Sequence, residues 1–499
     1  MKHLKCICFV RPTLESFNFL QHELSAPRFG EYHLYFSNIV RKSSLESLAE
    51  SDEQEAVKVV QEYYADFIAI NPDLFSLDMS IDNFRLVPKG STFPWAWHRA
   101  ALQRASEGLA SVLLALKKRP LIRYDRASPL CKELAEEVDQ LIKKETQLFK
   151  FQKSDSPPLL LLLDRRGDPV TPLLTPWTYQ AMIHELLGIR NGRVDMSGCP
   201  DVQKDLKEVV LNLEQDPFFR SNRDLNFGDL GANIKAYVDE YQGTSRTQAS
   251  KVESIADMKR FVEAYPEFRR LAGNVTKHVA LVGELSRLTA KHRLMEVSEL
   301  EQSLACNDNH AADLKALQKI LQEDIRHDSK VRLALLYALR YEKVPNSLAS
   351  SIIPLLKITK VPEEQCQMLE TLISCAGYDK RQNDLYEDSN LFARSRNVFR
   401  GLKGVENVYT QHQPLLHRIL EEMSKGRMKE TEFPFVSSKA SKLIPQEVIV
   451  FIVGGATYQE ARHVALFNQQ HSPGIRVVLG GTTIHNSKSF LSEIEALFG

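Results

Sequence analysis

The first 80 residues alternate between short runs rich in β-branched and aromatic side chains and longer amphipathic runs. Such alternation predicts β/α units around a parallel sheet. The pattern predicts strands over Lys5–Val10, His33–Ser37 and Asp66–Ile70, and helices near Glu15–Leu24 and over Ser51–Tyr64.

Two features favour a helix over residues 51–64. Asp52 and Glu53 place negative charge at the positive end of a helix dipole. An apolar stripe also recurs at helical spacing, formed by Val57, Val60, Tyr64 and Phe67. Such a stripe packs in a core or lines a groove.

The remainder of the chain has an α/β pattern on both sides of a long helical segment. A linker is predicted around Pro88, Gly90 and Pro94. The five-leucine run that ends at Asp164 is typical of a strand buried on both faces of a sheet. The predicted strands are Leu121–Tyr124, Leu159–Asp164, Glu208–Leu213, Glu447–Val453 and Arg476–Leu479.

The predicted fold class is therefore α/β with a large helical insertion. Residues 1–80 are expected to form an α/β first domain with parallel strands. Residues 81–221 and 444–499 together are expected to form a discontinuous α/β second domain. Residues 222–443 are rich in Leu, Ala, Lys, Glu and Arg at helical spacing, and they are expected to form a mainly helical third domain.

Composition narrows the classes of function. The 499 residues contain 64 basic and 64 acidic side chains, so no net charge favours nucleic acid or anionic lipid. No apolar run approaches the roughly 20 residues of a membrane-spanning helix, and the amino-terminal run is too short for a signal peptide. Seven cysteines without a CxxC motif argue against a disulfide framework or a zinc site. The sequence thus predicts a cytosolic chain with neither metal nor cofactor.

Three features of the sequence are candidates for a catalytic or phosphate-binding site. The charged turn from Asp164 to Pro169 follows a buried strand, where α/β enzymes place catalytic carboxylates. The paired glycines at 454–455 and 480–481 follow strands, where a turn can present N–H groups to a phosphate. His412 lies in a polar turn. No complete catalytic motif accompanies them, so structural roles are favoured, and a nucleotide-binding or hydrolytic enzyme is the alternative.

Several long segments closely resemble the SM (Sec/Munc) family of SNARE-binding proteins, and the resemblance covers essentially the whole chain. These segments are Ser51–Leu77, Leu159–Met182, Asn274–Leu281, Leu300–Cys306, Gly401–Leu416 and Val448–Arg462. The resemblance implies a non-enzymatic, cytosolic protein with an arch of three domains. Besides the SNARE-binding protein and the enzyme, a third hypothesis is a fragment that is inactive because its first domain is incomplete.

The resemblance also implies the partners. They are a syntaxin-type SNARE of the trans-Golgi network or endosome, the SNARE complex that it forms, and an R-SNARE. The implied role is a chaperone of SNARE assembly in Golgi, endosomal and vacuolar transport. The protein is expected to act as a monomer that associates peripherally with these membranes through SNAREs and binds no nucleic acid.

The resemblance implies two binding sites. A pocket for the syntaxin N-terminal peptide is implied at Leu45, Leu48, Val57, Val60 and Glu62. Val57 and Val60 are spaced i and i+3, and Glu62 is expected to receive a basic residue of the peptide. An R-SNARE is expected on a helical hairpin over Ala311–Ala338, through Leu317, Ile320, Leu321, Ile325 and Val331. Ordinary helix–helix packing explains the same hairpin pattern equally well.

Family members carry a further segment ahead of the strand that begins here near Lys5. Part of the first sheet and one side of the SNARE cleft are therefore expected to be missing, with a sheet edge exposed. The residues of the implied peptide pocket all remain.

Overall fold

The structure is a computed structural model that describes residues 1–81, 85–88, 95–152, 156–200, 202–249, 255–344, 352–382, 384–386, 409–437 and 444–497. Gly90 and Pro94 of the predicted linker lie outside these residues.

The chain divides into two compact units. The first comprises Met1–Arg165, Leu420–Ala456 and Phe467–Thr483, and the second comprises Arg166–Ile419, Thr457–Leu466 and Ile484–Gly499. The division into three domains stays a prediction.

The strands of the described residues are β1 (Lys5–Val10), β2 (Glu31–Phe36), β3 (Val57–Glu62), β4 (Ile68–Asn71), β5 (Leu74–Ser76), β6 (Leu121–Tyr124), β7 (Leu159–Asp164), β8 (Arg193–Asp195), β9 (Glu208–Val210), β10 (Glu447–Val453), β11 (Ala456–Thr457), β12 (Arg476–Gly481) and β13 (Ile484–His485).

The helices of the described residues are α1 (Leu14–Ser25), α2 (Lys42–Ser51), α3 (Arg99–Ala115), α4 (Pro129–Lys144), α5 (Tyr179–Leu186), α6 (Pro217–Asn222), α7 (Phe227–Ala249), α8 (Ile255–Lys291), α9 (Leu294–Cys306), α10 (His310–Leu321), α11 (His327–Arg340), α12 (Ile353–Ile358), α13 (Glu363–Ala376), α14 (Leu415–Ser424), α15 (Tyr458–His471) and α16 (Ser487–Ala496).

A small parallel sheet in the first unit has the strand order β1-β2-β3. Tyr32, Leu34 and Phe36 of β2 are buried in a core with side chains of α1 and α2, so both helices cover the same face of this sheet. The opposite face leaves Ile7 and Phe9 of β1 exposed. The predicted strands 5–10 and 33–37 and the helix near 15–24 are thus confirmed.

The predicted helix over residues 51–64 is wrong, because this segment forms the end of α2, a turn and β3. The Asp52 carboxylate accepts hydrogen bonds from the backbone N–H groups of Ala56 at 2.8 Å and Val57 at 2.9 Å. Glu55 has a left-handed φ of 49°. This turn ends the helix, and the β-branched valines that follow it favour a strand.

An irregularity in β3 explains the misleading spacing. Tyr32 pairs with Val57, whereas the next residue, His33, pairs with Val59, so Lys58 is an extra residue in the strand. The extra residue restores Val60 and Glu62 to the face of the sheet that Val57 occupies. The apolar spacing that resembles a helix is therefore produced by a bulged strand.

A second, larger sheet in the first unit combines strands from both ends of the chain in the order β4-β5-β12-β10-β7-β6. β10 lies between β7 and β12, and it is parallel to both. All six residues of β7 are buried, as its continuous apolar run predicts. The α/β fold class with helices inserted between the sheet strands is confirmed.

Two details of the predicted sheets need correction. The strand predicted over 66–70 belongs to the larger sheet, where β4 pairs with β5 in the antiparallel sense. The strand predicted to end at Leu479 continues through Gly481. Its glycines are required by packing, since a Cβ on Gly480 would lie 2.0 Å from the Phe75 ring.

A buried carboxylate, Asp66, connects the elements of the first unit. It accepts hydrogen bonds from Arg11 Nε at 2.7 Å, Asn38 Nδ2 at 3.0 Å and Arg104 at 3.3 Å. Arg104 in turn donates to the carbonyl oxygens of Asp66 at 3.1 Å and Leu77 at 2.9 Å. Burial lowers the pKa of Arg104 to about 10, so this guanidinium remains charged at neutral pH. The ends of β1 and β2 are thereby attached to α3.

Replacement of Asp66 tests this arrangement. Asp66→Asn keeps the shape of the side chain but leaves Arg104 as a buried charge without its partner carboxylate. We expect the free energy of unfolding of the first unit to fall by about 3–5 kcal/mol. Urea unfolding followed through Trp97 fluorescence measures this change.

Lys42→Ala is the matched control, because it removes an exposed ion pair between Lys42 and Glu46. We expect a change within about 0.5 kcal/mol for this control. An Asp66→Asn variant as stable as the control would show that the buried network does not stabilise the unit.

Candidate functional site

The five residues of the implied peptide pocket lie on two neighbouring elements of the first unit, α2 and β3. We call this set, Leu45, Leu48, Val57, Val60 and Glu62, the α2–β3 surface. Leu48 is buried in the core, and Leu45 and Val57 pack against it from partly exposed positions. Val60 is 48% exposed. The structure therefore places these four apolar side chains on the helix-covered side of the small sheet, and Val60 is the most exposed of them.

The position of β3 keeps the α2–β3 surface accessible. β3 is an edge strand of the small sheet, with β2 on its inner side and no strand on its outer side among the described residues. Val60 pairs in register with the buried Leu34, so its side chain points toward the helix-covered face of the sheet. At the edge this side chain is only half covered, so an apolar group of a partner can pack against it.

Glu62 makes two hydrogen bonds within the protein. Its Oε1 accepts from the backbone N–H of Val40 at 2.7 Å, and its Oε2 accepts from the Tyr64 hydroxyl at 3.0 Å. Burial and the adjacent Glu62 charge raise the pKa of Tyr64 to about 12. This hydroxyl is therefore protonated at neutral pH and remains a donor to Glu62.

The implied R-SNARE hairpin is present as α10 and α11, but its five named apolar residues are buried. None of the five is more than 8% exposed: Leu317, Ile320, Leu321, Ile325 and Val331. These side chains form helix–helix core, as the alternative interpretation held. Side chains that α10 does expose include Lys315, Ala316 and Lys319.

The charged turn after β7 has structural bonding. In the first unit, Asp164 accepts a hydrogen bond from the Ser128 hydroxyl at 2.5 Å. In the second unit, Asp168 accepts from the backbone N–H groups of Thr171 and Leu415, both at 3.0 Å. Both carboxylates therefore have structural roles, because their hydrogen bonds hold turns and helix ends together.

The first glycine pair has little capacity to bind a phosphate. Gly454 N–H donates to Thr482 Oγ1 at 3.2 Å, and Gly455 N–H donates to the Ile452 carbonyl at 3.2 Å. Both glycines have positive φ, at 86° and 89°, as tight turns require. Donors that a phosphate loop would direct at its ligand are already used, so nothing here supports the enzyme alternative.

One buried relay in the second unit was not anticipated from the sequence. His278 Nε2 lies 2.8 Å from an Asp216 carboxylate oxygen, and His278 Nδ1 lies 2.8 Å from the Tyr179 hydroxyl. The three residues are far apart in the chain, so no local motif marks them. Each is at most 2% exposed, and no substrate can reach them. The relay links α5, the start of α6 and α8.

His412 is also structural. Its backbone N–H and that of Gln411 donate to Gln302 Oε1 at 2.8 and 2.9 Å, and its Nε2 lies 3.1 Å from Thr171 Oγ1. Burial lowers the pKa of His412. The side chain is therefore neutral at physiological pH and fixes the turn that precedes α14.

In the part of the chain that the structure describes, no helix is both long and apolar enough to cross a lipid bilayer.

The architecture is that of SM proteins. A solved structure of the SM protein Vps45 in complex with the Qa SNARE Tlg2 matches with a TM-score of 0.91 and 54% identity, over 100% of this chain and 87% of that one. Sly1p in complex with an N-terminal peptide of Sed5p matches with a TM-score of 0.76 and 18% identity, over 100% of this chain and 86% of that one. The latter likeness concerns the fold alone.

The chain belongs to the Sec1 family, whose model matches residues 1–493. Vacuolar protein sorting-associated protein 45 of Schizosaccharomyces pombe is 48% identical over 99% of this chain and 88% of its own length. The human protein of the same name is 47% identical over 99% of this chain and 85% of its own length. The family membership inferred from the sequence segments is confirmed.

The buried histidines give the second unit a predictable pH dependence. His184 accepts from the Ile189 N–H at 3.0 Å, and its other ring nitrogen lies 3.2 Å from the Ile484 carbonyl. Burial lowers its pKa from 6.5 to about 4. Because the folded pKa is the lower one, this histidine contributes stability above pH 6.5 that is lost as the pH falls toward 4.

We expect His184→Gln to reduce the loss of stability of the second unit between pH 7 and pH 4. The full shift of His184 corresponds to about 3 kcal/mol. Urea midpoints measured at several pH values for both proteins give the difference in slope. His22→Gln, at an exposed position of α1 in the first unit, is the control. Parallel pH profiles for wild type and His184→Gln would contradict the assignment.

Proposed function

We propose that this protein is an SM-type regulator of SNARE assembly that binds a syntaxin-type SNARE. The observation that carries the proposal is the half-exposed Val60 on the edge strand β3, on the same face of the sheet as Val57 and as the core against which Leu45 packs. The solved complex of Vps45 with the Qa SNARE Tlg2 supports a partner of this class. The N-terminal peptide of the SNARE would bind at the α2–β3 surface.

The proposed role is to support vesicle docking and fusion in trans-Golgi network, endosomal and vacuolar trafficking, without enzymatic activity. The protein would act as a cytoplasmic monomer that is held at these membranes through SNAREs. The relatives named vacuolar protein sorting-associated protein 45 support this assignment. The division into a peptide-binding first domain, a discontinuous second domain and a helical third domain is part of the same proposal.

An R-SNARE would contact the hairpin of α10 and α11. Because Leu321 and Ile325 are buried, charges at these positions would unfold the hairpin and would not test binding. The exposed Lys315 and Lys319 are the positions at which SNARE crosslinking tests this contact.

The peptide site is tested at Val60. Complete burial of a valine contributes about 1.5–3 kcal/mol, and half of that area is already covered. Val60→Ala should therefore weaken peptide binding by only about fivefold. Val60→Arg places a charge where the apolar peptide group packs, and we expect a loss of at least about a hundredfold. Isothermal titration calorimetry with the N-terminal peptide of a trans-Golgi-network syntaxin measures both.

Gln61→Arg is the matched control, since it adds the same charge one residue along β3 on the opposite face of the sheet. Its affinity should equal that of the wild type. If Val60→Arg binds the peptide as tightly as Gln61→Arg does, the α2–β3 surface is not the peptide site.

A further inference from the structure

A cavity lies between α3 and one face of the larger sheet in the first unit. Its volume is about 380 Å³, within the range of about 300–1,000 Å³ that small-molecule sites occupy. Ile449 of β10 and Val478 of β12 are cross-strand partners that line it from the sheet. Val112 of α3 and Leu116, which directly follows this helix, line it from the other side. All of its lining residues belong to the first unit.

The end of α3 explains why this face of the sheet is not fully covered. The chain leaves the helix through a left-handed turn at Lys117, whose φ is 56°. The N–H of Lys118 donates to the Leu113 carbonyl at 2.8 Å, which is the longer bond of a Schellman motif. Leu116 is left 39% exposed. Val478 is partly exposed as well, although β12 lies between two other strands, where both faces are usually buried.

Three charged side chains lie together at one end of the cavity, where β10 and β12 begin. Glu447 and Arg476 are the first residues of these strands, and they pair in register. They point to the same face as Ile449 and Val478, because side chains two residues apart along a strand share a face. Lys118 Nζ lies 2.6 Å from Glu447 Oε2, so these two charges compensate each other.

Arg476 therefore remains as the uncompensated cation at this end. Its side chain is exposed, and it makes no hydrogen bond or ion pair with the residues that the structure describes. A guanidinium presents a fork of donors that matches a carboxylate. Apart from Asn71 and the three charged side chains, the lining residues are apolar. The cavity is thus apolar along its walls and carries one net positive charge at one end.

We propose that this cavity binds a long-chain fatty acid, with the acyl chain against Ile449, Val478 and Leu116 and the carboxylate on Arg476. Apolar walls favour the burial of a hydrocarbon chain, whereas an uncharged ligand would make no use of Arg476. A single negative charge matches the one positive charge that remains at this end. The inference does not depend on SNARE binding, because none of these residues belongs to the α2–β3 surface.

Two substitutions test the two parts of the site. Val478→Phe places a ring in the cavity, and we expect the dissociation constant for laurate to rise by about tenfold or more. Arg476→Gln removes the charge, and we expect a rise of about tenfold, as for the loss of a charged hydrogen bond. It should leave the affinity for lauryl alcohol, which has no charge, within about twofold of wild type. Isothermal titration calorimetry with the full chain measures laurate, and displacement of laurate measures the alcohol.

Each substitution has a matched control. Val210→Phe enlarges an exposed valine of β9 in the second unit, and Arg119→Gln removes an exposed arginine of the first unit that does not line the cavity. Both should bind laurate within about twofold of wild type. The urea midpoint of Val478→Phe shows whether this variant folds. If the midpoint falls, the exposed Arg476→Gln decides the test.

Three results would overturn the proposal. One is a wild-type chain that does not bind laurate saturably, or a folded Val478→Phe variant that binds it as tightly as the wild type. A second is an Arg476→Gln variant with unchanged affinity for laurate, since the carboxylate would then not be recognised. A third is tighter binding of lauryl phosphate than of laurate, which would show that the cavity takes a phosphorylated lipid instead.

Discussion

The first unit depends on one buried ion pair, between Asp66 and Arg104. The charge of Arg104 is retained in the interior because Asp66 compensates it and two carbonyl oxygens accept hydrogen bonds from its Nη2. A buried pair of this kind adds little net stability relative to apolar packing, but the removal of one partner is costly. Its effect is geometric, since Asp66 also accepts hydrogen bonds from Arg11 after β1 and from Asn38 after β2, and these bonds hold both strand ends at α3.

That arrangement determines where the α2–β3 surface lies. Asn38 donates a hydrogen bond to Asp66, and Glu62 of β3 accepts a hydrogen bond from the N–H of Val40, two residues further along the loop. Leu45 and Leu48 belong to α2, which begins directly after this loop. The peptide site that we propose is therefore positioned by polar groups that lie beneath or beside it, while its exposed part is apolar.

The sequence predicted the larger sheet well and the small sheet less well, for physical reasons. β7 and β10 are short, nearly continuous apolar runs bounded by turn residues, a pattern typical of strands that are buried on both faces. β3 is a partly exposed edge strand with an extra residue at Lys58, so its pattern has neither a clean period of two nor a true helical period. The pocket residues are implied by the family resemblance alone, because Val57 and Val60 lie on a bulged strand and not on a helix.

Other parts could not be derived from sequence at all. The contacts of Glu62 with Val40, and of His278 with Asp216 and Tyr179, join residues whose proximity depends on tertiary structure. A Tyr–His–Asp relay would suggest catalysis if only distances were considered. Its burial excludes substrate, and the polar groups satisfy one another inside the core.

The open edge of β3 also places a limit on how the peptide site can be built. An edge strand with a large apolar surface would pair with other chains, and charged residues on the edge reduce that risk. β3 carries Lys58 and Glu62 on either side of Val60, so the exposed apolar area is small. Half of one valine supplies only about 1 kcal/mol when it is covered. A peptide must therefore gain most of its affinity from several such contacts along α2 and β3. Binding costs less free energy if α2 is already held at a fixed distance from the strand before the peptide arrives.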